Sequence, residues 1–108
     1  MDVPVLQIAS SSEATSITLT LTGELDLAGE GRFEEAVQEA RATGLKLTVD
    51  LSKLEFIDSS GLRVLVRLHN DSLREGFTYT VIPGPPQVHR TFALCGLDAT
   101  LPFAATSR

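Results

Sequence analysis

The chain has 108 residues, 43% of them apolar, or about 46 side chains, enough for one core that buries roughly 65% of the unfolded surface without metal or disulfide. Charged residues make up 21% and the mean hydropathy is +0.12, which excludes a disordered polyampholyte, and no apolar run approaches the roughly 20 residues of a membrane span. Nine Lys and Arg against 14 Asp and Glu give a formal net charge of -5, which repels phosphate backbones and argues against direct nucleic-acid binding.

Val5 to Ala9 is predicted to be the first strand; no Lys or Arg precedes it, so a secretory signal lacks its positive region. Ser10 to Thr15 is expected to be a polar turn closing an antiparallel hairpin. From Ser16 to Leu25, Ile17, Leu19 and Leu21 alternate with Thr18, Thr20 and Thr22, the period of a half-buried strand.

Ala28 to Thr43 reads as a helix, with Phe33, Ala36, Val37 and Ala40 at helical spacing and Gly44 as its stop. Leu45, Leu47, Val49 and Leu51 restore the strand period, which makes a β-α-β unit. Ser52 to Asp58 is expected to be a short connector. Ser59-Ser60-Gly61 then opens a helix whose buried face is predicted to be Leu62, Leu65, Val66, His69 and Leu73, ending at Gly76.

Phe77, Tyr79 and Val81 mark another strand, and Pro83-Gly84-Pro85-Pro86 is a loop. Pro86 suits the first turn of a third helix carrying Val88, Phe92 and Cys95, stopped by Gly96; a last strand is expected over Ala99 to Phe103. Strands alternating with helices predict an α/β domain spanning 1-108. Its sheet is mixed and mostly parallel, with an N-terminal antiparallel hairpin and helices packed on it.

The most informative segment follows a strand and opens a helix: Asp58-Ser59-Ser60-Gly61. Asp and Ser there have a plain structural use, accepting hydrogen bonds from the unpaired NH groups of a helix start. The same geometry projects the Ser59 hydroxyl into solvent beside those NH groups and the positive dipole end, where a phosphate is favoured. Gly61, lacking a side chain, would let another protein approach that hydroxyl. Asp26 and Asp58 fall on loops along one edge of a parallel sheet and, with Glu24, form either one acidic surface or ordinary solvated turns.

Phe56-Ile57-Asp58-Ser59-Ser60-Gly61-Leu62 resembles the signature of STAS domains, specifically the bacterial anti-sigma factor antagonists. Leu21-Thr22-Gly23-Glu24-Leu25-Asp26 is similar to the family's second-strand and loop motif, and Arg90-Thr91-Phe92 with Gly96-Leu97 to the end of its third helix. The resemblance implies a cytoplasmic, non-enzymatic STAS-like domain without cofactor. Unphosphorylated, it captures an anti-sigma factor serine kinase of the GHKL type and so frees a sigma factor. Phosphorylation of Ser59 by that kinase switches it off, and a phosphatase acts on the phosphorylated form. Glu24, Asp26, Asp58, Ser59, Ser60, Gly61, Leu62 and Arg63 are the expected partner-binding residues. Two departures stand out. Arg63 occupies a position where relatives often have a small residue, which bears on phosphate affinity and kinase choice. Five residues follow Phe103, where many relatives continue into a final helix.

Rival readings are weaker. Gly29-Glu30-Gly31 lacks the third glycine of a dinucleotide loop, and there is no Gly-Lys-Ser/Thr phosphate loop, so any nucleotide belongs to the partner. His69, His89 and the lone Cys95 lack metal-ligand spacing, and a single cysteine fits a reducing compartment. A serine hydrolase built on Ser59 lacks the glycine-flanked nucleophile elbow. A STAS subunit regulating a membrane transporter ATPase is the alternative binding module.

Overall fold

The computed structural model describes residues 6–105. Strand β1 (Leu6–Ser12) pairs antiparallel with β2 (Ser16–Leu25), β2 runs parallel to β3 (Lys46–Ile57), and β3 runs parallel to β4 (Tyr79–Ile82), in the spatial order β1-β2-β3-β4. Helix α1 (Leu27–Ala42) connects β2 to β3, α2 (Ser59–Glu75) connects β3 to β4, and α3 (Pro86–Leu94) follows β4. This is the expected mixed, mostly parallel sheet with its N-terminal antiparallel hairpin.

The alternation of β2 sorts its side chains. Ile17, Leu19, Leu21 and Leu25 are buried, and so are Leu47, Val49 and Leu51 beside them on β3. On this face α1 adds Phe33, Val37 and Ala40, and α2 adds Val64, Leu65 and Leu68. Alternate positions at Thr18, Thr20, Thr22, Thr48 and Asp50 are only partly buried and form a polar opposite face. The two helices are also tied by charge, since Arg41 of α1 donates to Asp71 (2.9 Å) and Glu75 (2.6 Å) of α2 while stacking over the Phe77 ring.

Several boundaries differ from the sequence expectation. The segment Ser10 to Thr15 is not all turn: β1 continues to Ser12, and the hairpin closes when the Glu13 amide donates to the Ser16 carbonyl at 2.8 Å. Serines alternate no apolar signal, so the strand's second half was silent. Val5, assigned to this strand, lies outside the described residues.

Ser52 to Asp58 is not a connector, because β3 runs on to Ile57. Two register shifts against β2, between Thr20 and Thr22 and between Gly23 and Glu24, stretch the buried spacing from two residues to three, through Leu51, Leu54 and Ile57. The period-two signal is therefore lost although pairing continues. Gly23 sits at the second shift with a φ of 100°, a conformation that favours glycine, which gives the Thr22-Gly23-Glu24 sequence its structural reason.

The buried face of α2 also differs. It consists of Ser60, Gly61, Leu62, Val64, Leu65, Leu68 and Ser72, whereas Leu73 is exposed and Val66 and His69 are only partly buried. Gly61 sets this rotation, since the helix lies against Leu25 and Ile57 at the one position without a side chain. Cys95 is the exposed cap of α3 and not part of its apolar face. Ala99 to Phe103 does not form a strand: a 3₁₀ turn covers Leu97–Ala99, and Phe103 makes one parallel bridge to Val81. Pro102 has no NH to continue a ladder.

Candidate functional site

The register between β2 and β3 ends with Leu25 opposite Ile57, so the next residues, Asp26 and Asp58, emerge side by side at the carboxyl ends of two parallel strands. The Asp58 amide donates to the Leu25 carbonyl at 3.2 Å and fixes the two turns together. Each aspartate then caps a helix. The Asp26 carboxylate accepts from the Ala28 amide at 3.1 Å and that of Asp58 from the Ser60 amide at 2.8 Å, both with extended backbone at the cap. Two helix N-termini with their unpaired amides and positive dipole ends thus open onto one edge of the sheet.

The two adjacent serines face different surroundings. Ser59, first residue of α2, is exposed; Ser60 keeps 5% of its surface. Gly61 and Leu62 are buried as well. A Cβ at Gly61 would lie 2.6 Å from both Cγ and Cδ2 of Leu25 and 2.9 Å from Cγ1 of Ile57, so the glycine lets α2 descend onto the sheet. Ser60, Gly61 and Leu62 therefore support the edge from beneath, while Glu24, Asp26, Asp58, Ser59 and Arg63 present surface.

Arg63, one turn after Ser59, reaches across to α1. Its Nε donates to Glu30 Oε2 at 3.2 Å and its Nη2 to Glu30 Oε1 at 3.4 Å. Arg67 approaches the same Glu30 carboxylate at 3.6 Å and holds Glu34 at 3.1 Å. The hydrogen bonds from Arg63 hold the Glu30 carboxyl below the usual carboxylate range, and Glu30, followed by Asp58, pushes the Arg63 guanidinium up.

Two exposed apolar side chains flank this edge, and sequence reasoning did not single them out. Leu27, the first residue of α1, is 69% exposed, and Phe56, which pairs with Glu24 in the sheet, is 47% exposed. The signal was present: Leu27 stands outside the Phe33, Val37 and Ala40 stripe, and Phe56 is out of phase with buried Ile57.

Neither histidine stands at Ser59. His69 Nδ1 is 2.9 Å from the Tyr79 hydroxyl, and His89 packs on Phe103 and Phe92 with ring centroids 4.7 and 6.0 Å apart. The arrangement at Ser59 is a hydroxyl on a helix start with acidic neighbours, without a Ser-His pair.

A family model described as Mlab, STAS domain, matches residues 8–102. The chain is 32% identical over 89 residues to the anti-sigma-F factor antagonist RsfB of Mycobacterium tuberculosis, covering 82% of this chain and 72% of RsfB. The crystal structure of an anti-sigma factor antagonist from Mycobacterium paratuberculosis superposes with a TM-score of 0.84 at 26% identity, covering 98% of this chain and 92% of that one. The Bacillus cell fate determinant SpoIIAA in its phosphorylated form shares the fold, with a TM-score of 0.66 at 18% identity over 94% and 92% of the two chains. No helix among the described residues is long and apolar enough to cross a membrane. With a family match across most of its length and relatives of the same architecture, the chain belongs to the STAS-domain family of anti-sigma factor antagonists.

Proposed function

We propose that this chain is a cytoplasmic anti-sigma factor antagonist switched by phosphorylation of Ser59. Unmodified, it captures an anti-sigma factor that is also a GHKL-type serine kinase and thereby frees a sigma factor. The kinase supplies the nucleotide. The Ser59 hydroxyl oxygen bonds to the γ-phosphorus of ATP as the bond to ADP breaks, and the hydroxyl proton leaves to a base on the kinase. A phosphatase returns the chain to its capturing form.

The observation that carries this reading is the contrast between neighbouring hydroxyls: Ser59 is exposed on the first turn of α2, whereas Ser60 is buried at 5%. A kinase active site can surround the first without unfolding the helix; reaching the second requires opening the cap at Asp58. The partner footprint is Glu24, Asp26, Asp58, Ser59 and Arg63, with Leu27 and Phe56 as apolar anchors inside a charged rim, a composition that suits a protein interface. Ser60, Gly61 and Leu62 act in this footprint by holding the turn in place. The acidic carboxylates call for a basic surface on the partner.

The test is incubation with ATP and the anti-sigma factor recovered by affinity capture, followed by peptide mass mapping. One phosphate on Ser59, abolished in Ser59→Ala, is expected. Phosphate on Ser60, no modification, or capture of a transporter ATPase in place of a kinase would overturn the assignment.

A further inference from the structure

We propose that Arg63 is the internal reader of Ser59 phosphorylation: it leaves Glu30 on α1 and clamps the phosphate on α2. The inference rests on the phosphorylation reading above and adds how the modified chain responds.

Ser59 and Arg63 are four residues apart on α2 and so occupy the same face, about 5–6 Å apart at Cβ, within reach of a guanidinium. In the unmodified chain, that guanidinium spans to α1 and grips both oxygens of Glu30 at 3.2 and 3.4 Å. The Arg63 side chain is 54% exposed, so no packing locks it in this orientation. Glu30 keeps a second cation, Arg67 at 3.6 Å, and is not stranded when Arg63 departs. Both ends of the exchange are therefore provided for.

Charge sets its direction. A phosphoserine carries about -1.5 to -2 at neutral pH and three acceptor oxygens, against the single charge and two oxygens of Glu30. The planar guanidinium fork matches phosphate and carboxylate alike in shape, so the group with the larger charge wins. Asp58 caps the same helix five positions before Arg63, so the guanidinium springs from the turn next to the serine before any modification.

Two consequences follow at the partner surface. The phosphate is drawn back along α2 and neutralised in part, so the modified chain keeps its fold. Glu30, in the first turn of α1 and four residues after Asp26, loses its closest counterion, and negative charge rises on α1 as well as on α2. Arg41, Asp71 and Glu75 still tie the two helices elsewhere along their length, so the change stays at the sheet edge.

The experiment uses the full chain with phosphoserine genetically encoded at position 59, which needs no kinase. Its outcome is thus independent of whether a cognate kinase modifies Ser59. Phosphorus NMR titration reads the second ionisation of the phosphate in wild type, Arg63→Ala, Arg63→Lys and Glu30→Gln. Removing Arg63 is expected to raise that pKa by about half a unit, a threefold change in proton affinity, with lysine intermediate. Glu30→Gln should leave it at or below the wild-type value. In parallel, carbon NMR of the Glu30 carboxyl should show its pKa rising on phosphorylation in wild type and rising by clearly less in Arg63→Ala, where only the direct repulsion by the phosphate remains. A phosphate pKa unchanged by Arg63→Ala, or a Glu30 carboxyl indifferent to phosphorylation, would overturn the exchange.

Discussion

Asp26 and Asp58 are neighbours because Leu25 and Ile57, the residues before them, are partners across two parallel strands. Each carboxylate accepts from an amide two residues on, so each starts a helix, and together they bring two helix N-termini to one edge. Their first use is structural. Under the proposed function their second would draw on the charge and the exposed Ser59 hydroxyl that remain on the surface once the caps are made.

Capping and charge can be separated at Asp58. Asp58→Ala removes the acceptor for the Ser60 amide and should cost about 1 kcal/mol in denaturant unfolding, whereas Asp58→Asn, which can still accept, should stay within about 0.5 kcal/mol of wild type. Equal losses in both variants would show that the carboxylate stabilises the turn through charge and not through the cap.

Gly61→Ala tests the closeness of α2 to the sheet. Alanine favours a helix over glycine by about 1 kcal/mol, yet its Cβ would stand 2.6 Å from two Leu25 side-chain atoms, and overpacking of this kind costs about 1–3 kcal/mol. Net destabilisation by about 1 kcal/mol is expected from chemical denaturation. A stabilised variant would mean that Leu25 yields freely.

The two capped helix starts at the carboxyl ends were legible because their parts are local in sequence: strand, aspartate, serine and helix follow in order at Asp58, and strand, aspartate and helix at Asp26. The fold class was legible from period changes for the same reason. What escaped depended on pairing between distant segments. The extension of β3 through Ser52 and Lys53 exists because β2 shifts register beside it, and the burial of Leu68 in place of Leu73 follows from how Gly61 meets Leu25 and Ile57. Helical spacing accommodates either face of α2, and only the tertiary contact chooses. The reach of Arg63 to Glu30, 33 residues away, has no local signature at all.

Leu27 should behave as a binding residue and not as a stability residue. At 69% exposure, Leu27→Ala is expected to shift unfolding free energy by no more than about 0.5 kcal/mol, and to weaken capture of the anti-sigma factor about tenfold, or about 1.4 kcal/mol. Unchanged affinity by titration calorimetry would remove Leu27 from the footprint.

Tyr79 supplies a pH test of the core. It is the only tyrosine in a chain without tryptophan, so phenolate absorbance near 295 nm reports one side chain. Burial raises its pKa well above the ordinary 10.0. The folded value is raised, so the stability it contributes is complete below pH 10 and is lost as pH climbs toward the folded value. Ionisation should coincide with alkaline unfolding, and Tyr79→Phe should flatten stability against pH above 10. Phenolate formation near pH 10 in a still-folded chain would contradict the burial.

The measurement that bears most directly on the switch is titration of the anti-sigma factor, with nucleotide bound, into unmodified chain and into chain carrying phosphoserine at position 59, alongside thermal melts of both. A phosphate in the interface meets Asp58 and the partner's nucleotide phosphates, a repulsion of about 3 kcal/mol, which lowers affinity about a hundredfold. In the free chain, the same phosphate meets the helix start and Arg63, so the melting temperature should hold or rise. Undiminished affinity after phosphorylation, or a large fall in melting temperature, would contradict the account.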